Sequence, residues 1–245
     1  MKPSGAVLFV SDLHLAPDTP AITERFLRFL AGPARDAAGL VILGDLFDAW
    51  AGDDDLADPF NARIVSALRA LADSGVAIGF IAGNRDFLVG ADFAQAAGLE
   101  LLPDPCVREI AGERVLLTHG DMLCTDDADY QRFRAEVRGD AWRQDFLARS
   151  LAERKRLIDE LRSRSEAEKR IKPMTIMDVN AQAVESAFAA HDVQVLVHGH
   201  THRQGEHTHR VGNRNCLRRV LGDWHAERGN ALRRDAAGWH WLELR

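Results

Sequence analysis

The sequence predicts an α/β fold built from mixed β-sheets and helices. Short runs of aliphatic and β-branched residues, each bounded by turn residues, alternate along the chain with segments whose apolar residues recur at helical spacing. This alternation is typical of strands that are covered by helices. A hairpin pattern in the middle of the chain and further short strands in the C-terminal tail predict that part of the sheet system is antiparallel.

Five apolar runs have the length of buried strands, and three longer segments carry their apolar residues on one helical face. The predicted buried strands are residues 6–10, 40–43, 76–82, 115–118 and 193–197. The predicted helices are residues 22–30, 60–71 and 179–191. The predicted hairpin strands are residues 106–110 and 114–118, and the tail strands are residues 217–222, 230–234 and 239–244.

Residues 126–173 interrupt this alternation. They offer no strand pattern, but they are rich in Arg, Glu, Leu and Ala, with apolar residues at helical spacing. We therefore predict a single domain over residues 1–245 with a helical insertion at residues 126–173. From Arg149 to Lys172 the insertion has nine basic and five acidic residues, although the whole chain has a formal net charge of −6.

A basic amphipathic insertion has two interpretations. It can adsorb to an anionic lipid surface through buried apolar area and charge attraction, or it can be an ordinary surface helix that packs its Leu and Ile side chains against the domain. In the first case, the basic residues expected to face the lipid are Arg154, Lys155, Arg156, Arg162 and Arg164.

Composition and charge exclude several classes of protein. With 46% hydrophobic and 28% charged residues, the chain has the composition of a globular domain, and its acidic balance argues against a general nucleic-acid-binding protein. The longest nearly apolar run, residues 76–83, is too short to cross a bilayer. The first apolar run breaks at Ser11 and Asp12, too early for a signal peptide, and the three cysteines are scattered. We therefore expect a location in the reducing cytoplasm.

Residues of the kinds that bind metals follow five of the predicted strands. Each segment alone has an ordinary interpretation as a turn or a capping aspartate. All five together predict one site, because ligands of α/β proteins bind beyond the carboxyl ends of the strands. The five segments are Asp12-Leu-His14, Gly-Asp45-Leu-Phe-Asp48, Gly-Asn84-Arg85-Asp86, His119-Gly-Asp121 and His198-Gly-His200-Thr-His202.

These segments resemble the motifs of the calcineurin-like metallophosphoesterases. The resemblance is closest to the members that act on UDP-2,3-diacylglucosamine, and it rests on SDLHL, GDLFDAW, GNRDFL, HGDMLCTDD, IMDVN and VHGHTHRQ. It implies a four-layer αββα sandwich of mixed sheets whose insertion is a helical cap. It also implies a hydrolase of lipid A biosynthesis, in which metal-bound hydroxide attacks the α-phosphorus of that lipid and gives UMP and 2,3-diacylglucosamine 1-phosphate.

The resemblance further implies a two-metal site in which Asp45 bridges the ions. The implied metal ligands are Asp12, His14, Asp45, Asn84, His119, His200 and His202. Oxygen and imidazole ligands without a thiolate suit Mn²⁺, so we predict two Mn²⁺ per subunit. The predicted catalytic residues are Asn84, Arg85 and His119. The implied substrate-binding residues are Asn84, Arg85, Asp127, Ser165, Lys169, Lys172 and His200.

The remaining histidines receive no role in metal binding. His198 is interpreted as a packing or hydrogen-bonding residue, although it lies next to the predicted ligands along the chain. The histidines without any predicted function include His191, His207, His209, His225 and His240.

Arg85 departs from the wider family, in which many members have His at this position of the motif. An arginine cannot protonate a leaving group at neutral pH. A phosphate leaving group needs no such proton, because its second pKa is about 6. A fixed cation that stabilises developing charge is then the more useful residue, so Arg85 favours a diphosphate substrate over an ordinary phosphodiester.

Two other functions remain open at this stage: a metallophosphoesterase that acts on another nucleotide or phosphodiester, and a metal-free scaffold that serves as a binding module. The complete ligand set argues against the scaffold. The lipid substrate predicts a peripheral association with the cytoplasmic face of the inner membrane. We infer neither a nucleic-acid partner nor an obligate protein partner.

Overall fold

Two mixed β-sheets stack face to face in the computed structural model, which describes residues 5–171 and 176–245. The first sheet has the strand order β11-β10-β1-β2-β3-β4, and the second has the order β5-β6-β7-β9-β8. The strands are β1 (Val7–Val10), β2 (Gly39–Ile42), β3 (Ala77–Phe80), β4 (Glu100–Leu101), β5 (Cys106–Ile110), β6 (Glu113–Leu117), β7 (Val195–His198), β8 (Gly205–Val211), β9 (Arg214–Val220), β10 (Gly229–Asp235) and β11 (Gly238–Leu244). The helices are α1 (Pro20–Ala31), α2 (Pro59–Asp73), α3 (Ala91–Ala97), α4 (Ala128–Val137), α5 (Asp140–Leu147), α6 (Leu151–Ile171) and α7 (Ala181–His191).

Alternating side chains on the strands create separate apolar layers. On β1, Leu8 and Val10 pack with the apolar residues of α1, α2 and α3, whereas Phe9 packs between the two sheets. On β6, Leu116 packs with α7, whereas its neighbours Val115 and Leu117 face the first sheet. Because successive side chains of a strand point to opposite faces, both sheets are buried on both sides. The predicted αββα sandwich is confirmed.

The parallel strands place their carboxyl ends together. β1, β2 and β3 are parallel neighbours in the first sheet, and β6, β7 and β9 are parallel neighbours in the second. The predicted hairpin is confirmed as the antiparallel pair β5 and β6, and the tail supplies the antiparallel pair β10 and β11. The predicted ends of the buried strands differ from the observed ends by at most two residues.

The sequence analysis missed β8, which is an edge strand of the second sheet. Its residues are charged or polar over most of their length and are largely exposed, so they carry no apolar alternation. The signal in the sequence was Gly212, which forms the turn after β8 and has a φ of 60° in the structure. A glycine adopts this left-handed conformation readily, which is typical of hairpin turns.

Three helices, α4, α5 and α6, lie between β6 and α7, in the region where the insertion was predicted. Of the two interpretations of the basic residues, the one in which all five face a lipid surface does not hold for three of them. Arg154 is buried, donates to the carbonyl oxygen of Ala51 at 2.6 Å and pairs with Asp54. Lys155 binds Asp55 at 2.8 Å, and Arg162 pairs with Asp48. These cations attach α6 to the loops of the first sheet.

Arg156 does project into solvent, where it lies 3.8 Å from Glu160. The side chain of Arg164 lies outside the described part of the structure. Among the residues that the structure describes, no helix combines the length and the apolar character needed to cross a bilayer.

Candidate metal centre

The loops that follow β1, β2, β3, β6 and β7 meet at one end of the two sheets. They enclose a cavity of about 170 Å³ lined by His14, Asp45, Asp48, Asn84, Arg85, His200 and His202. Asp12 and His119 are completely buried beneath the cavity surface. Asp12 contacts His202, and His119 contacts Asn84. The structure therefore brings together all seven residues that were predicted to bind metal.

Five of these seven residues have an unusual backbone conformation. Asp12, His14, Asp45, His200 and His202 have φ values of 54°, 48°, 53°, 67° and 58°. Residues with a side chain rarely adopt this left-handed region, and such strain clusters at functional sites. In this conformation the tight loops direct the side chains toward the cavity.

Glycine 44 shows how closely the loops approach one another. A Cβ atom at Gly44 would lie 2.6 Å from the backbone of Gly83 and from His119 Nδ1. Any side chain there would separate the loops that carry Asp45 and Asn84.

The first group of candidate ligands contains Asp12, His14 and His202, whose donor atoms lie within 4.8 Å of one another. His202 Nε2 lies 3.4 Å from Asp12 Oδ1 and 3.4 Å from His14 Nε2. Asp12 is fixed by Ser11, whose hydroxyl donates at 2.6 Å, and by the backbone N–H of His200 at 2.9 Å. The three donors face one small volume in which a cation fits.

The second group contains Asp12, Asp45 and His119. Asp45 Oδ1 lies 3.8 Å from His119 Nε2, and Asp45 Oδ2 lies 3.9 Å from His14 Nε2. The two oxygens of Asp45 thus face histidines of both groups. Asn84 Oδ1 lies 3.0 Å from His119 Nε2 and 2.8 Å from His200 Nδ1, which adds an amide oxygen and a further imidazole on the His119 side.

The electrostatics of the cluster favour a bound cation. Burial opposes the charged form of His119, but the carboxylates of Asp45, Asp121 and Asp12 raise its pKa to about 9. Burial also opposes protonation of His202, yet its hydrogen bonds with Asp12 and Asp223 raise its pKa to about 10. The protons that these carboxylates attract are displaced when a metal ion binds.

The donor set itself fits divalent cations. Carboxylate oxygens, an amide oxygen and imidazole nitrogens converge here, and none of the three buried cysteines is among them. His119 Nδ1 donates to the carbonyl oxygen of Leu43 at 2.8 Å, so the other ring nitrogen, Nε2, is the one that faces Asn84 and Asp45. A second hydrogen bond of this kind is typical of histidines that bind metals.

Asp86 is a buried carboxylate that connects two loops of the site, a role not predicted from the sequence. Its carboxylate accepts hydrogen bonds from the backbone N–H groups of Gly83 at 2.8 Å, Leu46 at 2.7 Å and Asp45 at 3.2 Å. Burial and the neighbouring Asp45 raise the pKa of Asp86 to about 7. The loops after β2 and β3 are therefore joined by one buried side chain.

Asp121 attaches the insertion to the metal centre. Its Oδ2 accepts hydrogen bonds from Tyr130 at 2.9 Å and from Arg134 at 2.8 Å, both on α4. The Tyr130 ring stacks on His200 with a centroid distance of 6.0 Å. Arg138, the residue after α4, donates to the carbonyl oxygen of Gly83 at 3.0 Å. The His-Gly-Asp121 motif is recognisable in the sequence, but the residues of α4 that bind Asp121 form no recognisable sequence pattern.

The predicted substrate-binding residues are only partly gathered at the cavity. Asn84, Arg85 and His200 line it. Asp127 is the N-cap residue of α4, where its side chain accepts from the backbone N–H of Tyr130 at 3.1 Å. Ser165 is partly buried on α6.

Lys169 lies on α6, but its side chain is outside the described part, and Lys172 lies outside the described residues altogether. Their contacts with substrate stay predictions, as do those of Asp127 and Ser165.

His198 packs and forms hydrogen bonds, in agreement with the sequence analysis. It is completely buried, lies 2.8 Å from the carbonyl oxygen of Gly199 through Nδ1, and accepts from Arg218 at 3.1 Å through Nε2. Burial and the charge of Arg218 lower its pKa to about 3. His225 differs from the expectation of no role, because it contacts Asp223 beside His202.

The chain is similar to known proteins over most of its length. The family described as calcineurin-like phosphoesterase matches residues 5–204. A UDP-2,3-diacylglucosamine hydrolase of Aromatoleum aromaticum is 51% identical, with 95% of this chain and 94% of the relative covered. A protein of the same name from Stenotrophomonas maltophilia is 49% identical, with 95% and 96% covered. One from Escherichia coli O81 is 51% identical, with 91% and 92% covered.

Among solved structures, a dimetal phosphatase from Danio rerio is similar with a TM-score of 0.53 at 13% sequence identity, covering 99% of both chains. At this low identity the similarity concerns the fold.

Proposed function

The chain belongs to the calcineurin-like phosphoesterases, and on that premise we propose that it is a metal-dependent hydrolase that cleaves the diphosphate of UDP-2,3-diacylglucosamine in lipid A biosynthesis. The observation that carries this proposal is the near full-length similarity to relatives of that name, supported by seven candidate metal ligands gathered in and around one cavity. The products are UMP and 2,3-diacylglucosamine 1-phosphate, because water attacks the α-phosphorus.

The metal ligands divide into two subsites in this proposal. Asp12, His14 and His202 would hold one cation, and Asn84, His119 and His200 would hold the other, with Asp45 between the two groups. Two bound divalent cations would neutralise the phosphoryl oxygens and make a water molecule more acidic. Oxygen and imidazole donors without a thiolate support Mn²⁺ as the ion.

Arg85 is proposed to bind the phosphate that leaves. Its backbone N–H donates to Asp45 Oδ1 at 2.8 Å, and its side chain lines the cavity beside Asn84. A guanidinium held there stabilises the charge that develops on the leaving phosphate without having to donate a proton.

The helical cap is proposed to bind the acyl chains. Trp142 stacks on Phe146 at 4.6 Å between ring centroids and contacts Phe87 at 5.9 Å, so an aromatic row joins α5 to the loop that carries Arg85. Arg143 fixes this contact by donating to the carbonyl oxygen of Phe87 at 3.0 Å. Phe146 is buried in the core, but Phe87 and Trp142 are only partly buried, and Phe87 lies two residues after Arg85 in the chain. The apolar surface of these two rings suits a substrate that is apolar at one end and anionic at the other.

A substrate panel tests the proposed function. The enzyme is stripped with a chelator, reloaded with Mn²⁺, Zn²⁺ or Mg²⁺, and assayed on UDP-2,3-diacylglucosamine, UDP-sugars without acyl chains and p-nitrophenyl phosphate esters. Chelation is expected to abolish turnover and Mn²⁺ to restore it most fully, with the diacylated substrate strongly preferred. In ¹⁸O-water the label is expected in UMP.

Label in the lipid phosphate would contradict attack at the α-phosphorus. Equal turnover of all substrates would instead favour a general phosphodiesterase.

We further propose that the cap faces the cytoplasmic surface of the inner membrane. Four large apolar side chains are exposed in the described part of the chain, and three of them, Phe133, Leu147 and Leu161, lie on cap helices. Arg156 adds a positive charge on α6. Exposed apolar side chains and an exposed cation on one helical insertion are the combination that favours binding to anionic lipid surfaces.

The double variant Leu147→Gln with Arg156→Glu tests this membrane contact. Since burying a leucine side chain contributes about 1.5–3 kcal/mol, we expect binding to anionic vesicles to weaken about tenfold or more, measured by co-sedimentation. Hydrolysis of a small water-soluble ester should not change. Leu101→Gln is the matched control, because Leu101 is equally exposed but lies on β4 of the first sheet and not on a helix of the insertion. Unchanged vesicle binding by the double variant would exclude this docking surface.

A further inference from the structure

Asp223 lies beside the metal centre but comes from a part of the chain beyond the matched family region, residues 5–204. It belongs to the loop between β9 and β10. Its Oδ2 lies 3.3 Å from His202 Nδ1, and its Oδ1 lies 3.2 Å from His225 Nε2. Asp223 therefore contacts a candidate metal ligand on the side of the ring that faces away from Asp12.

The loop that carries Asp223 is rigidly held by groups other than its carboxylate. The buried side chain of Asn230 donates to the carbonyl oxygens of Gly222 at 2.9 Å and Asp223 at 3.0 Å, and it accepts from the N–H of Gly222 at 3.1 Å. The N–H of Trp224 donates to the carbonyl oxygen of Asp12 at 3.2 Å. The Trp224 ring packs edge-on against Phe26 of α1 at 6.0 Å.

These contacts place the carboxylate at a fixed position behind His202. The two nitrogens of an imidazole act as a pair: when Nδ1 donates its proton to a carboxylate, the lone pair of Nε2 is free for a cation. In this structure Nε2 of His202 points at Asp12 and His14, and Nδ1 points at Asp223.

We propose that Asp223 is a positioning residue that orients the His202 ring and thereby sets the metal affinity of the subsite formed by Asp12, His14 and His202. The inference rests on the metal centre proposed above. The segment after residue 204 therefore contributes to the metal centre. Through Trp224 it also contacts Phe26 of α1 and the backbone of Asp12.

The test is a metal titration of Asp223→Asn, which keeps the size of the side chain and removes its charge. Loss of a hydrogen-bonded partner behind a metal ligand weakens binding by about 10- to 100-fold. Calorimetry with Mn²⁺ is expected to show one weakened site and one unchanged site. At limiting Mn²⁺ the variant should hold one ion per chain where the parent holds two, and excess Mn²⁺ should restore kcat. Asp223→Glu, which retains a carboxylate, should recover part of the affinity.

Asp192→Asn is the matched control, because Asp192 also pairs with a basic side chain, Arg214, but is exposed just before the start of β7, whereas the ligands His200 and His202 follow the end of that strand. Thermal unfolding of the apo proteins separates a loss of fold from a loss of affinity. Two sites of parental affinity in Asp223→Asn would overturn the proposal, as would a weakened site that excess Mn²⁺ fails to rescue in a fully folded protein. A parent that binds no divalent cation would instead overturn the metal centre itself.

Discussion

Replacing Asp45 with alanine is expected to lower kcat/KM by about 1,000-fold or more, equivalent to about 4 kcal/mol of lost transition-state stabilisation. The reason is that the two oxygens of Asp45 face His119 and His14, so one substitution removes a donor from both sides of the centre. Metal analysis of the purified variant should show fewer than two ions per chain. The loss should persist in excess Mn²⁺, in contrast to the loss expected for Asp223→Asn.

Two companion variants make the Asp45 result specific. Asp45→Asn keeps the acceptor for the N–H of Arg85 and should also lose metal, because the negative charge is missing. Asp36→Ala removes an exposed carboxylate outside the site and should behave like the parent. An Asp45→Ala protein that hydrolyses the lipid at the parental rate in metal-free buffer would refute the two-metal proposal.

Removing the guanidinium of Arg85 is expected to lower kcat/KM for UDP-2,3-diacylglucosamine by about 100- to 1,000-fold, as for other fixed charge-stabilising donors. The N–H that donates to Asp45 belongs to the backbone, so Arg85→Ala retains that hydrogen bond and should retain its metal content. The variant thus separates binding of metal from binding of the leaving phosphate. Steady-state kinetics together with metal analysis measure both.

Substitutions that differ in charge geometry sharpen the Arg85 experiment. Arg85→Lys keeps one positive charge but loses the planar pair of donors, so we expect an intermediate rate. Arg85→His should not rescue the lipid substrate, because a phosphate leaving group gains little from a proton donor. Near-normal turnover by Arg85→Ala would show that the charge argument is wrong.

The candidate ligands could be chosen from the sequence because each of them follows a strand within a short motif, and the structure brings the seven residues together. His200 and His202, for example, are adjacent in sequence to β7 and lie where that strand ends. Buried strands such as β1 were recognised for a related reason: their aliphatic composition is local information. Exposed β8 had no such composition and was missed.

The contacts that support the ligands could not be predicted in this way. Asp223 reaches His202, and Tyr130 reaches His200, only after the chain has folded, and no spacing in the sequence records either pair. The same limit explains Arg154. Periodicity identified α6 as amphipathic, but it could not show that this arginine is buried against Ala51, a residue about one hundred positions earlier.

The left-handed backbone of the ligand loops has an evolutionary consequence. At Asp12, His14, Asp45, His200 and His202 the local conformation favours glycine, whereas the chemistry requires an acid or an imidazole. Selection for stability alone would replace these residues, and selection for turnover keeps them, which is the usual trade-off between stability and activity. A lineage released from the need for turnover should therefore lose its ligands early, at these positions, while the strands and the packed layers behind them drift more slowly.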